Sequence, residues 1–320
     1  MLEKVTWSAD YSAGEKVAAP LLDPHFAFYL ASHRPRRLAR DYAAVVAATG
    51  PMAAAFTFAD IDRPILQLVD ATCAVFRDDF HIANIRQGRL DAEARHFSRV
   101  SHSFALSNWA RRSLVEDYGI APERVTVLPP FVNLYPPRRA PLYAGHRRLR
   151  VGFIGSDFER KGGQALLRWQ REELHRYVEL HIVAPRVFHD ATVPHTHWHG
   201  SLANDRVVTD FLPSIDILCH PTRRDCSALV VVEAAAAGVP SVASNVGGIA
   251  DLIDHGCTGM LLHPCDELGF REALRQLSDT PALLQSMSRA AHARARSQHS
   301  SERFLRTVEH AVGMAVAAHG

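Results

Sequence analysis

The sequence contains no run of about 20 apolar residues. Its longest candidate, Ala228–Gly238, is short and carries Glu233, so no membrane-spanning helix is expected. The opening MLEKVTWSADYS lacks a basic flank followed by an apolar core, so no secretory leader is expected. Cysteine is scarce: Cys73, Cys219, Cys226, Cys257 and Cys265 are odd in number and form no C-x-x-C pair. That argues against a disulfide frame and reads as the reduced thiols of a cytoplasmic protein. Acidic residues are missing from Arg124 to Ser156, where Arg138, Arg139, Arg147, Arg148 and Arg150 all fall. Such a stretch is either a solvated linker or a patch that recruits anionic lipid or a phosphorylated substrate. A formal net charge of +2 says little about partners, and nucleic acid is not expected as one. No internal repeat at solenoid periods is present.

What is present is ordinary for a globular chain: 47% hydrophobic and 22% charged residues over 320 positions. That length suffices for two packed domains. The segment 133–150, rich in proline and arginine, reads as a linker between them. Beyond it, candidate strands at Leu149–Ile154, Val178–Ala184, Ile215–Cys219, Val239–Ala243 and Met260–Leu262 alternate with helical patterns at 163–174, 204–212, 228–237, 249–254 and 266–277. Before it, strands are expected at 43–47, 65–69, 103–105 and 125–128, with helices at 88–99 and 110–118. Alternation at this spacing predicts α/β architecture with parallel, doubly wound sheets, and ligands at the carboxyl ends of the strands.

The most informative stretch is DCSALVVVE at 225–233, followed by AAAAGVPSVASNVGG. Val230–Val232 alone favour a strand. The alanines that follow favour a helix, which Gly238 and Pro240 end. With Ser227 as N-cap, the helix would start at Ala228, and the free amides of Ala228, Leu229 and Val230 would form an anion site suited to a diphosphate. Glu233 would lie about 9 Å along the axis from Ser227. Asp225 before the helix and Glu233 within it would then flank the anion. A second element, VGFIGSDFERKGG at 151–163, ends a strand at Ile154 and opens a helix at its double glycine. Its turn would bring Arg160 and Lys161 toward the same anion, to offset charge building on a leaving group. The G-x-x-G here is too short for a dinucleotide fingerprint.

These segments resemble family 4 retaining glycosyltransferases. DCSALVVVE stands where that family carries E-x7-E, with Asp225 in place of the first Glu, and the later Gly247, Gly248, Gly256 and Gly259 are similar too. The resemblance implies a GT-B fold: two Rossmann-like domains facing a cleft. It implies that Glu233 holds ribose hydroxyls, that Asp225 holds hydroxyls of the transferred sugar, and that amides near Ser227, Ala228 and Leu229 hold the diphosphate. The loop of Gly155, Arg160 and Lys161 matches the family's basic phosphate-binding turn in a bacterial form, although Ser156 replaces an Arg common there.

In the first half, DIDRPILQLVDAT at 60–72 resembles the segment whose D-A-T faces the cleft. Asp70, aided by Thr72, is the candidate near the reacting carbon, either orienting the acceptor hydroxyl or stabilising positive charge. A turn-capping Asp70 is the plainer alternative. ALSNWARRSLVEDYG at 105–119 is similar to the family's last N-terminal unit, with Ser107 toward the cleft and Trp109 in packing. The start at LEKVTW resembles the family's second strand, so the first strand–helix unit is expected to be missing. The implied domains are 1–135 (acceptor side, incomplete), 136–150 (linker), 151–295 (nucleotide-sugar side) and 296–320 (a helix crossing back).

His195, His197 and His199 alternate on one face of an extended stretch. With no Cys or carboxylate at ligand spacing, no metal is expected, and the resemblance implies the same, since most enzymes of this type replace a donor metal with basic residues and a helix start. The expectation is therefore retaining transfer, without a cofactor, from a UDP- or GDP-linked nucleotide sugar to a cell-surface glycan or lipid-linked acceptor. It would proceed in the cytoplasm, with room for peripheral contact at the inner membrane face. The rivals are a nucleotide-sugar epimerase on the same fold and a non-catalytic nucleotide-binding subunit.

Overall fold

The computed structural model describes residues 43–47, 61–137, 142–185 and 192–319. The LEKVTW opening, with the expected loss of a first strand–helix unit, and Arg138 and Arg139 lie outside them.

The first domain is built on four parallel strands in the order β1-β2-β3-β4: β1 (Val45–Ala47), β2 (Ile65–Val69), β3 (His102–Ala105) and β4 (Val125–Val127). Helices α1 (Cys73–Asp78), α2 (Gln87–Arg99) and α3 (Asn108–Glu116) connect and cover them. Val69, Phe97, Ala105, Leu114 and Val125 pack together in this domain's core. Polar groups sit wholly inside it as well. Gln67, on β2, donates to Ser103 Oγ at 3.3 Å and meets His96 Nε2 at 2.7 Å, so that strand and helix satisfy each other's buried polar atoms.

The second domain is a six-stranded parallel sheet in the order β10-β9-β8-β5-β6-β7. Its strands are β5 (Leu149–Ile154), β6 (Val178–Val183), β7 (Thr196–Gly200), β8 (Ile217–His220), β9 (Ser241–Ser244) and β10 (Gly259–Leu262). The chain lays down β5, β6 and β7 outward in one direction, then returns past β5 to place β8, β9 and β10 on the other side. That is the Rossmann order, and its switch point falls between β5 and β8; sheets of this kind bind ligands there, outside the strands' carboxyl ends. Helices α4 (Gly163–Glu172), α5 (Leu229–Ala236), α6 (Glu267–Asp279) and α7 (Pro281–Gln298) cover the faces. The helix expected over 204–212 is short and irregular: a turn at Asn204–Arg206, then a π-helical turn at Val207–Phe211.

β-Branched Val230–Val232 lie in a helix because Val231, Val232, Ala234 and Ala236 are all buried between the sheet and α7. Burial outweighs the small intrinsic penalty of valine in a helix. The last helix, α8 (Ser301–His319), crosses back. Phe304, Val308, Ala311, Val312 and Ala315 pack on Leu66, Phe104 and Leu128 of the first sheet. The expected boundary at 295/296 falls inside α7, and the chain turns back only at His299, whose carbonyl accepts from Val132 N. Arg147 forms a two-pronged ion pair with Asp216, Arg148 donates to His175 O, and Arg150 lies 3.7 Å from Glu179. Arg147, Arg148 and Arg150 thus bind their own domain and lend no support to the lipid patch. No helix among the described residues is long and apolar enough to cross a membrane.

Candidate active site

Two loops meet at the switch point. The first runs from Gly155, directly after β5, to Gly163 at the start of α4. The second runs from His220, the last residue of β8, to α5. They are tied together by Arg223 N donating to Arg160 O at 2.9 Å and by Thr222 Oγ1 reaching Arg160 O and Arg224 O. Gly162, at φ +85°, passes so close that an added Cβ would lie 2.2 Å from Pro221 O, a contact only glycine permits.

Lys161 is the only lysine among the described residues. Its Nζ donates to Asp225 Oδ2 at 2.7 Å, and both side chains are largely buried. Gly155 lies beneath it, where a Cβ would press on Lys161 Cβ and Cγ at 3.1 and 3.3 Å. The same Asp225 Oδ2 also meets His220 Nε2 at 3.1 Å. Burial opposes ionisation of Asp225, but the His220 hydrogen bond and the Lys161 charge outweigh it and hold the carboxyl well below the usual range. Burial pushes the His220 pKa down. The fully buried His220 Nδ1 has no hydrogen-bond partner, which suits a neutral imidazole whose Nε2–H faces the carboxylate and whose Nδ1 carries only a lone pair. The unit is therefore lysine cation, aspartate anion and neutral histidine.

Three expectations are corrected. Ser227 does not cap the helix: α5 begins at Leu229 with Ala228 in the cap position, and no side chain caps it. Ser227 Oγ instead donates across the cleft to Asp70 Oδ1. Val231 N donates to the buried Ala228 carbonyl at 2.8 Å and closes the first turn, so the amides without an intrahelical acceptor at this end are those of Leu229 and Val230. The exposed Leu229 side chain marks that end as accessible. Arg160 does not point free into the cleft, because its Nε binds Asp157 at 2.7 Å and its Nη1 binds Arg224 O at 2.5 Å. It braces the loop. Thr72 is wholly buried, capping α1 and hydrogen-bonded to Ser113 Oγ at 2.6 Å; it cannot assist a reacting carbon.

Asp70, directly after β2, stands exposed at the cleft. The bulk of protein around it raises its pKa, the Ser227 hydroxyl lowers it, and the charge of Asp225 raises it. Glu233, one turn inside α5, accepts from Asn204 Nδ2 at 3.4 Å, and burial raises its pKa. Asp70, Ser227, Asp225, Lys161 and Gly155 thus form one connected patch that leads to the start of α5. Ser107 caps α3 and packs against Gly248, where a Cβ would lie 2.8 Å from Ser107 Cβ. Trp109 packs on Phe80 at 5.3 Å, as expected.

The residues that sequence reasoning missed are His220, Arg224 and Asp251. Arg224 donates to Phe80 O at 3.2 Å, and Asp251 accepts from the backbone and side chain of Asn108 at the start of α3, so both join the domains. His220 left only a faint signal: a polar end to an apolar strand, five residues before Asp225.

Residues 148–280, which include both loops and α5, match the family model for glycosyl transferases group 1. D-Inositol 3-phosphate glycosyltransferase from Corynebacterium aurimucosum is 30% identical over 207 residues, 56% of this chain and 49% of that protein. Among solved structures, sucrose-phosphate synthase from Thermosynechococcus elongatus superposes with a TM-score of 0.75 at 16% identity, covering 91% of this chain and 78% of that one. Anabaena HepE in complex with UDP-glucose superposes with a TM-score of 0.67 at 17% identity, covering 89% and 82%. The fold is GT-B. The chain spans about half, or less, of the length of the curated relatives it matches first.

Proposed function

We propose that this protein is a glycosyltransferase that binds a nucleotide-diphosphate sugar at the switch point of its second domain and passes the sugar to a hydroxyl acceptor from the first. The observation carrying this reading is the Lys161–Asp225–His220 unit set beside the open start of α5, within the segment matched by the glycosyl transferase family model. The diphosphate would rest on the Leu229 and Val230 amides, where the helix dipole favours negative charge. Lys161 would neutralise the charge that develops as the diphosphate leaves. Asp225 holds the lysine in place beforehand, so little reorganisation is needed at the moment of transfer. Glu233 would accept ribose hydroxyls, and Asp225 would meet those of the sugar.

Asp70 is our candidate beside the reacting carbon, since its hydrogen bond to Ser227 already brings the acceptor-side acid to the donor loop. Retention of configuration is part of the proposal, by likeness to family 4. UDP is the first nucleotide to test, because HepE was solved with UDP-glucose. A relative that aligns over 56% of this chain is named for inositol phosphate, so a small phosphorylated polyol joins cell-surface and lipid-linked glycans as a candidate acceptor.

The test is nucleoside-diphosphate release from a panel of nucleotide sugars, with and without these acceptors, followed by NMR of the product's anomeric proton. Acceptor-dependent release with retention supports the reading; conversion of the donor without acceptor would instead indicate an epimerase. Asp70→Ala should bind donor as the parent does and lose transfer by roughly a hundredfold or more. Full transfer in that variant would remove Asp70 from the chemistry.

A further inference from the structure

At the far edge of the second sheet lies a cluster that the donor site does not use. Alternate residues of a strand share a face, so Glu179 and His181 of β6 project beside His197 and His199 of β7. The register sets His181 opposite His197. The His181 ring stacks on His197 at 4.8 Å and on His199 at 5.5 Å. His197 Nε2 is 2.8 Å from Glu179 Oε1, and His181 Nε2 is 3.9 Å from Glu179 Oε2. One ligating atom each from Glu179, His181 and His197 fall within 4.8 Å of one another.

A second observation points to a ligand. His181 Nε2 is buried yet makes no hydrogen bond, while His181 Nδ1 lies 3.2 Å from His199 Nε2. If Nδ1–H donates to His199, Nε2 is left with a bare lone pair, 3.9 Å from Glu179 Oε2. That is the arrangement of a ligating imidazole, whose second nitrogen is held by an outer partner that fixes tautomer and ring angle. The carboxylate that the His195–His199 stretch lacks in sequence comes from the neighbouring strand.

We propose that Glu179, His181 and His197 bind a divalent transition-metal ion, Zn²⁺ being the best match, with His199 orienting His181. Two imidazoles and a carboxylate are a ligand set suited to Zn²⁺, with water in the fourth position. Bonds of about 2.0–2.2 Å require ligand atoms about 3.3 Å apart, a modest closing that the half-exposed His197 side chain can make by rotation. Arg150 Nε, 3.7 Å from Glu179 Oε2, is the competing cation and must yield part of the carboxylate. The ion would clip β7, the edge strand, to β6. β6 and β7 lie beyond β5 in the sheet order, so the clip would stabilise the sheet without entering the donor crevice.

The experiment is a titration of the metal-stripped full chain with Co²⁺, read by visible absorption, followed by displacement with Zn²⁺. The parent should take up one ion per chain in a low-symmetry site, and at a hundredfold excess over Kd its Tm should rise by roughly 5–10 °C. His197→Ala, at an exposed position that spares the core, should lose the band and the Tm rise. His199→Ala should weaken binding about 10–100-fold. The chain has 19 histidines, so binding unchanged in His197→Ala would assign the ion elsewhere and overturn the proposal, as would absence of the band in the parent.

Discussion

His96 shows how a single side chain carries pH dependence. It lies buried against Gln67, and desolvation lowers its pKa to about 4. Its unfolded value is about 6.5. A histidine depressed in the folded state contributes stability that is complete above about pH 6.5 and is lost as pH falls toward 4, because only the unfolded chain takes up the proton. Stability should therefore fall between pH 7.5 and 5.0, by up to roughly 2 kcal/mol from this group, and His96→Gln should remove that share. Urea midpoints at the two pH values measure it; an equal fall in parent and variant would shift the cause to other histidines. Residues of this kind are poorly legible in sequence. His220 reads as the end of an apolar strand, and its role appears only when Asp225 turns back onto it. Ser227 carries the right chemistry for a helix cap, yet its hydroxyl finds Asp70, a partner 157 positions away, which no local pattern encodes.

Among the elements, the donor loops depend on close backbone approach more than on side-chain packing. Gly247 adopts φ +57°, and a Cβ there would lie 2.0 Å from Asp225 O, whereas Gly256 adopts φ +78° with nothing within 4 Å. Both pay the left-handed penalty on substitution by alanine, about 1–2 kcal/mol; only Gly247→Ala also displaces the backbone of the Asp225 loop. Gly247→Ala should therefore destabilise at least about 2 kcal/mol more than Gly256→Ala, measured by urea unfolding, and should abolish stabilisation by nucleotide. Equal costs would mean that the loop moves aside freely. At this scale the sequence was more informative. The strands Leu149–Ile154 and Ile65–Val69 match residue for residue, because mostly buried parallel strands read as largely apolar runs even where Arg150 or Gln67 interrupts them. The alanines after Val232 correctly marked a helix. Thr196–Gly200 read only as an extended stretch, since an edge strand rich in histidine lacks the apolar signature, and the helix over 204–212 broke where Val207–Phe211 form a π turn.

For the whole molecule, α8 joins the two domains. Phe304 packs on Phe131 with ring centroids 4.4 Å apart and faces the first sheet, while Leu305 beside it is 46% exposed. Phe304→Ala should cost about 1–3 kcal/mol by lost burial and cavity formation, and Leu305→Ala no more than about 0.5 kcal/mol; similar urea midpoints for both would show that α8 does not hold the first sheet. The crossing helix and the two-sheet plan were legible from strand–helix alternation and family resemblance. The contacts across the cleft, Asp70 with Ser227 and Asn108 with Asp251, were not, because they depend on how the two sheets face each other.

The most direct test is isothermal titration of UDP and GDP into the full chain, its Lys161→Ala variant and its Glu233→Ala variant, each checked for folding by circular dichroism. One of the two nucleotides should bind the parent, and each substitution should weaken that binding about 10–100-fold through loss of a charged or charge-assisted contact. A parent that binds neither nucleotide, or folded variants that bind as tightly as the parent, would contradict a diphosphate site at the start of α5.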